Sequence, residues 1–275
     1  MAVQFSGSSR SRASLQTLQS ELETILSAAD LAVADELFTA LDVLDGSAAL
    51  RRSLTDPSRE PNARVGVVRS LFAHQAQQAT LQILEAAVSQ RWSTERDLGD
   101  AVETLAVIAV AAKAESRGLQ GLEDLETALL TFRRTIAESH DLQRALSQDQ
   151  APASAKQKLA AQLSADASPE TRLLIDRAVT APRGLRTSAL VERFAGVIAK
   201  RQDRWIAQVT VAKDLGSTYL TKLSTSLDKY FGRELKLDVV VDPSVVGGIR
   251  VQVGDEVVDS TVAARLNELN RTIAR

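Results

Sequence analysis

Displaced by 92 residues, the separation of Leu50 from Leu142, the sequence matches itself without a gap. At that displacement Leu50, Arg52 and Leu54 fall on Leu142, Arg144 and Leu146, while Ala63, Arg64 and Leu71 fall on Ala155, Lys156 and Leu163. Leu81, Ile83, Ala86 and Arg91 then fall on Leu173, Ile175, Ala178 and Arg183. The match fades upstream, where Ile25 faces Arg117. Helical sequences rich in Leu and Ala can coincide by chance, but an ungapped run that includes non-apolar positions favours duplication of one structural unit.

Residues 13 to 203 read as helix after helix. Leu15, Leu18, Leu22, Ile25 and Leu26 lie on one face of a 3.6-residue period, as do Val33, Leu37, Phe38, Leu41 and Leu44, with Gly46 as a stop. Pro61 and Ser168-Pro169 suit helix starts, and Thr94 with Asp97 reads as a capping box. The helical pattern runs unbroken from Thr94 to Ala114, which predicts a helix shared by the two copies. Near residue 204 the period changes to two, through Trp205, Ala207, Val209 and Val211. Leu220, Leu223, Leu227 and Phe231 return to helical spacing, and Leu235, Leu237, Val239 and Val241 alternate again. Residues 248–253 and 256–258 read as a hairpin turning at Gly254-Asp255, and a last helix is expected from Ser260. The expectation is a mainly α chain: two tandem helical-bundle modules, 1–104 and 105–203, then a small α+β domain, 204–275.

Composition narrows the function. Basic and acidic side chains number 33 and 35, a net charge of −2, which speaks against nucleic acid as the main ligand. Without cysteine there is neither a disulfide framework nor a thiolate metal site. The longest apolar run, Leu105 to Ala112, ends at Lys113, far short of a bilayer span. The Ser- and Arg-bearing first twenty residues faintly resemble a transit peptide; a frayed polar terminus is the favoured reading. They lack the apolar h-region that secretion would need.

A search for chemistry finds no site. His74 and His140 stand alone, no nucleophile has an evident base, and Gly247-Gly248 precedes a strand rather than a helix N-terminus. That glycine pair reads as backbone geometry, with φ > 0 or close strand approach. Asp255, Glu256 and Asp259 cluster near the hairpin, and turn and cap duties account for Asp255 and Asp259. Trp92 and Trp205 could be core or exposed, and ten aromatic residues provide no stacking platform for bases. The sequon Asn270-Arg271-Thr272 falls in the expected terminal helix and reads as chance. No catalytic, cofactor or metal residues are expected. What remains is surface: helical grooves suited to partner helices.

The run Val241-Asp242-Pro243-Ser244-Val245-Val246-Gly247-Gly248-Ile249-Arg250-Val251 leads into Gly254-Asp255-Glu256-Val257-Val258-Asp259-Ser260 and then Arg265-Leu266. It resembles the C-terminal signature of the F-type ATP synthase delta family, called the oligomycin-sensitivity-conferring protein in mitochondria. The second helical copy resembles that family's N-terminal bundle, so the resemblance covers about 170 residues and the upstream copy makes this a long form. The resemblance implies a non-catalytic stator subunit, without cofactor, that couples proton flow to ATP synthesis. Its bundle would grip the N-terminal helix of an alpha subunit, and its tail a b-type subunit of the peripheral stalk. Asp242, Pro243, Ser244, Gly247, Gly248, Gly254, Asp255, Asp259, Arg265 and Leu266 would then be the signature of the stalk-binding part. Membrane association would be indirect, at the cytoplasmic face of the cell membrane, with a mitochondrial setting left open. The competing readings are a helical adaptor outside ATP synthase and an enzyme with a dispersed site.

Overall fold

The computed structural model describes residues 7–260 except 149, 214, 233, 234, 244, 246 and 255. It divides into two compact units, one running to Ile198 and the other beginning at Ala199.

The helical unit is built from α1 (Ser9–Glu21), α2 (Glu23–Ser27), α3 (Leu31–Gly46), α4 (Ala48–Thr55), α5 (Pro61–Phe72), α6 (Gln78–Ser89), α7 (Glu95–Glu115), α8 (Leu119–Ala137), α9 (His140–Ser147), α10 (Ala153–Leu163), α11 (Pro169–Thr180) and α12 (Thr187–Gln202). Within it α3 to α7 and α8 to α12 are two series of five helices in the same order. Helices α4 and α9 begin and end 92 residues apart. Local bonds repeat at the same displacement. Ser47 Oγ accepts from the Leu50 amide at 3.2 Å and Ser139 Oγ from the Leu142 amide at 3.3 Å, each side chain satisfying an otherwise orphaned N–H of the first turn. Arg51 donates to the carbonyls of Leu44 and Asp45, and Gln143 donates to those of Ile136 and Ala137. Different side chains thus close the preceding helix in the same way. Displaced by 92 residues, α1 falls within α7 and α2 on the junction between α7 and α8, where the sequence match is weak.

Helix α7 is the axis of this unit. All residues from Asp97 to Ala112 are buried, and α7 packs on α1, α2, α3, α4, α6, α8 and α11. A helix covered all round should be apolar all round, and the run Leu105–Ala112 satisfies that over its C-terminal half. At its start, Thr94 Oγ1 accepts from the Asp97 amide at 3.2 Å and donates to the Asp97 carboxylate at 2.8 Å. Ser11 of α1 donates to the same carboxylate at 2.6 Å. The expected capping box therefore also anchors α1.

The second unit contains β1 (Ile206–Val211), α13 (Ser217–Phe231), β2 (Lys236–Val241), β3 (Ile249–Val253) and β4 (Glu256–Asp259). The sheet order is β2-β1-β3-β4. Strands β1 and β2 are parallel, with α13 as their crossover, whereas β3 is antiparallel to both β1 and β4. Alternation places Ala207, Val209 and Val211 inward with Val251 and Val253, and Leu227 of α13 packs on them. Trp205 lies in a 3-10 turn, Asp203–Trp205, that precedes β1; the Gly254 amide holds this turn by donating to the Asp203 carbonyl. The helix expected from Ser260 lies outside the described residues.

A fragment of residues 115–203 lacks α7 and therefore the surface on which its own α8 and α11 pack. It should show no cooperative thermal transition by circular dichroism. A sharp melt at the temperature of the intact chain would contradict the shared-axis arrangement.

Candidate functional site

Two acidic residues interrupt α7. Asp100 and Glu103 are 2% and 1% exposed, one helical turn apart and on the same face. Ionised carboxylates at such depth need partners. They find them in the second series: Arg183, in the loop between α11 and α12, reaches Asp100 at 2.7 Å and Glu103 at 3.6 Å. Arg193 of α12 lies 3.7 Å from Asp100 and 3.4 Å from Glu103. Arg183 also takes Asp45, at the end of α3, at 2.6 Å. Nearby, Arg177 of α11 bonds Asp42 at 2.6 Å and lies 5.1 Å from the centre of the Phe38 ring. Carboxylates of the first series thus meet arginines of the second.

Local backbone serves this contact. Arg183 sits at φ 51, a left-handed conformation costly for a residue with a Cβ. Gly99 makes room for its guanidinium, since a Cβ there would lie 2.6 Å from Arg183 Nη2. Burial works against the Arg183 charge, yet the bond it donates to Asp45 and the fields of Glu103 and Asp100 outweigh it and raise its pKa. Glu103 fares differently. Burial raises its pKa against the pull of Arg193 and Arg183, and neither carboxylate oxygen accepts a hydrogen bond. The ring of charges is a rivet between the copies and holds no reactive group in a cleft. Among the described residues no group of His, Asp and Glu could hold a metal ion.

The signature residues stand at both ends of the sheet, Asp242, Pro243, Gly247, Gly248 and Asp259 at one and Gly254 at the other. The Asp242 amide donates to the Val211 carbonyl at 2.8 Å, extending the β1–β2 pairing by one bond. Its carbonyl accepts from Val245, and Pro243 turns the chain between them. Gly247 and Gly248 follow at φ 68 and 82, the positive-φ geometry expected of the pair. Gly254 is at φ 58 in the hairpin turn, and Asp259 pairs in register with Arg250 at the far end of the ladder. Ser244, Asp255, Arg265 and Leu266 lie outside the described residues. His74 and His140 are exposed, while Trp92 is buried and donates to the Ala87 carbonyl. On α13, Tyr219 and Tyr230 are 71% and 68% exposed. Eleven residues is close to three helical turns, so both tyrosines stand on one face. Neither these tyrosines nor the charge rivet was singled out from the sequence. The signals were present: two acids one turn apart inside an apolar helix, and two aromatics three turns apart.

The fold defines a many-helix unit followed by a small α+β unit. The family model described as ATP synthase delta (OSCP) subunit matches residues 104–273. "ATP synthase subunit delta" of Pseudarthrobacter chlorophenolicus is 46% identical over 95% of this chain and 97% of its own length. That of Renibacterium salmoninarum is 48% identical over 92% of this chain and 94% of its own. A chain of the Toxoplasma gondii mitochondrial ATP synthase hexamer overlaps 60% of this chain and 96% of its own at TM-score 0.36 and 16% identity, too distant to bear on the argument. This chain belongs to the ATP synthase delta (OSCP) subunit family. Because the bacterial relatives match nearly end to end, the stretch upstream of residue 104 is largely shared with them.

Arg183→Met, which leaves two buried carboxylates half-answered, should cost about 3–5 kcal/mol in chemical denaturation at pH 7. Glu103→Gln should match or exceed the parent there. A carboxyl whose pKa is raised on folding adds stability only below its unfolded value, about pH 4, and loses it as pH rises through the folded value. The advantage of Gln should therefore shrink towards pH 4; a loss above about 1 kcal/mol at pH 7 would mean that the arginines outweigh burial.

Proposed function

We propose that the chain is the non-catalytic stator subunit that links the alpha/beta catalytic head of an F-type ATP synthase to its peripheral stalk. The observation that carries this reading is the family match across residues 104–273, with long relatives aligned over nearly their whole length. The physical requirement is simple: rotary catalysis needs a head that does not turn with its rotor. A link for that purpose requires affinity and stiffness. The charge rivet around Arg183 and the all-round burial of α7 supply stiffness within the helical unit. Helix-in-groove docking supplies affinity, and several weak sites on one chain add avidity.

The division of labour we infer follows three stretches: 1–104 as the additional copy, 105–203 as the copy that takes the N-terminal helix of an alpha subunit, and 204–275 as the stalk-binding part. The exposed tyrosines of α13 support the last assignment, because amphipathic rings anchor docking surfaces at low entropic cost. No described helix is long and apolar enough to cross a membrane, which fits a subunit held at the membrane through its complex, on its cytoplasmic face.

Three measurements test this. The purified chain should copurify with alpha, beta and b-type subunits and hydrolyse no ATP by itself; capture of an unrelated set of proteins would favour an adaptor outside the synthase. Deleting residues 204–275 should leave head binding intact and abolish stalk binding in a titration against isolated head and stalk peptide; the reverse pattern would refute the assignment. Gly248→Val should strain the backbone by about 1–3 kcal/mol and weaken stalk binding without touching head binding.

A further inference from the structure

We propose that a basic cleft in the first helical copy is a docking site for an acidic peptide segment of a partner protein. The cleft, 1160 Å³ in volume, opens among α1, α4, α5 and the loop leading into α7. Arg10, Arg52, Arg59, Arg64, Arg91 and Arg96 line it, against only two acids, Asp56 and Glu95. In a chain of net charge −2 that is a concentrated local surplus. Part of it is answered within the fold, since Arg59 lies 4.0 Å from Asp56 and Arg96 lies 3.9 Å from Asp100.

Arg64 is the telling residue. It is 3% exposed, and its Nη atoms donate only to backbone carbonyls, those of Leu54, Ser89 and Gln90. Its Nε has no partner. A buried guanidinium without a carboxylate is expensive, and burial, with the charge of Arg91 beside it, lowers its pKa. An anion entering the cleft would relieve both.

The second copy indicates which anion. Arg91 corresponds in the repeat to Arg183, and that position is filled by the carboxylates of Asp45 and Asp100, delivered on neighbouring helices. In the first copy Arg91 is exposed. Guanidinium forks match carboxylates as pairs of parallel bonds. The volume exceeds the roughly 300–1,000 Å³ of small-molecule pockets. No glycine lines the cleft, so the flexible loop of backbone amides that usually cradles phosphate is missing. Ala49, Pro57 and Trp92 provide apolar wall between the arginines, suited to aliphatic stems of a peptide.

The test is fluorescence anisotropy of the full-length chain with labelled deca-glutamate at low salt, with deca-lysine and single-stranded deca-thymidylate as comparisons. Deca-glutamate should bind saturably and deca-lysine should not. Arg52→Glu/Arg91→Glu should weaken deca-glutamate at least about tenfold with an unchanged melting temperature. Should the double variant fail to fold, Arg10→Glu and Arg91→Gln, both at exposed positions, should each give a several-fold loss. Affinity unchanged in the variants, no saturable deca-glutamate binding, or deca-thymidylate binding as tightly as deca-glutamate would each overturn the proposal, the last by showing a phosphate-reading surface.

Discussion

Asp100 and Glu103 sit on a helix covered on every side, so their charges have to be answered by the helices that cover it. That requirement orders the helical unit. Arg183 and Arg193 can reach α7 only if α11, its loop and α12 fold back over the first series, and Arg177 meets Asp42 on the same approach. Apolar packing alone would tolerate sliding between two Leu- and Ala-rich bundles. A buried charge does not, because a shift of a few ångströms leaves it unpaired in a medium that screens little. The cluster therefore fixes the register of one copy against the other more than it adds net stability, as the raised pKa of Glu103 indicates.

The copies have diverged in how they use the same position. In the second, the arginine after the fourth helix of the series is spent on internal contacts, at the expense of a left-handed backbone. In the first, Arg91 faces outward, and the buried cation Arg64 donates its hydrogen bonds only to backbone carbonyls. Its counterpart Lys156 is buried as well, so a cation under the second helix of the turn is a property of the repeat. Bonds that close each helix survive the divergence even where the side chain differs, as Arg51 and Gln143 show. Local geometry is thus common to the two series, and the long-range partners differ.

The sequence was most informative where the physics is local. Periodicity, Pro61, Ser168 and Thr94 identify helix starts from a few neighbouring residues, and alternation through Ala207, Val209 and Val211 marks the inner face of the sheet. The positive φ of Gly247 and Gly248 was equally legible, because turn chemistry is carried by the residues themselves. The charge rivet was not, since Asp100 and Arg183 are 83 residues apart and nothing in either neighbourhood names the other. The basic cleft was hidden for a related reason: near-neutral net charge averages over a surface on which six arginines from separate segments converge. Two aromatics three turns apart satisfy a core pattern as well as a surface one, so the exposure of Tyr219 and Tyr230 has no local sign in the sequence.

The separation between Asp100 and Arg183 also has a temporal meaning. During synthesis at about 5–20 residues per second, the 83 intervening residues take roughly 4–17 s to appear. For that interval α7 has emerged with its acids unanswered and one flank bare. The nascent chain passes through a stage in which its future axis is both charged and sticky, a form that holdases recognise and aggregation exploits. The register between the two series can be set only once that arginine has left the ribosome.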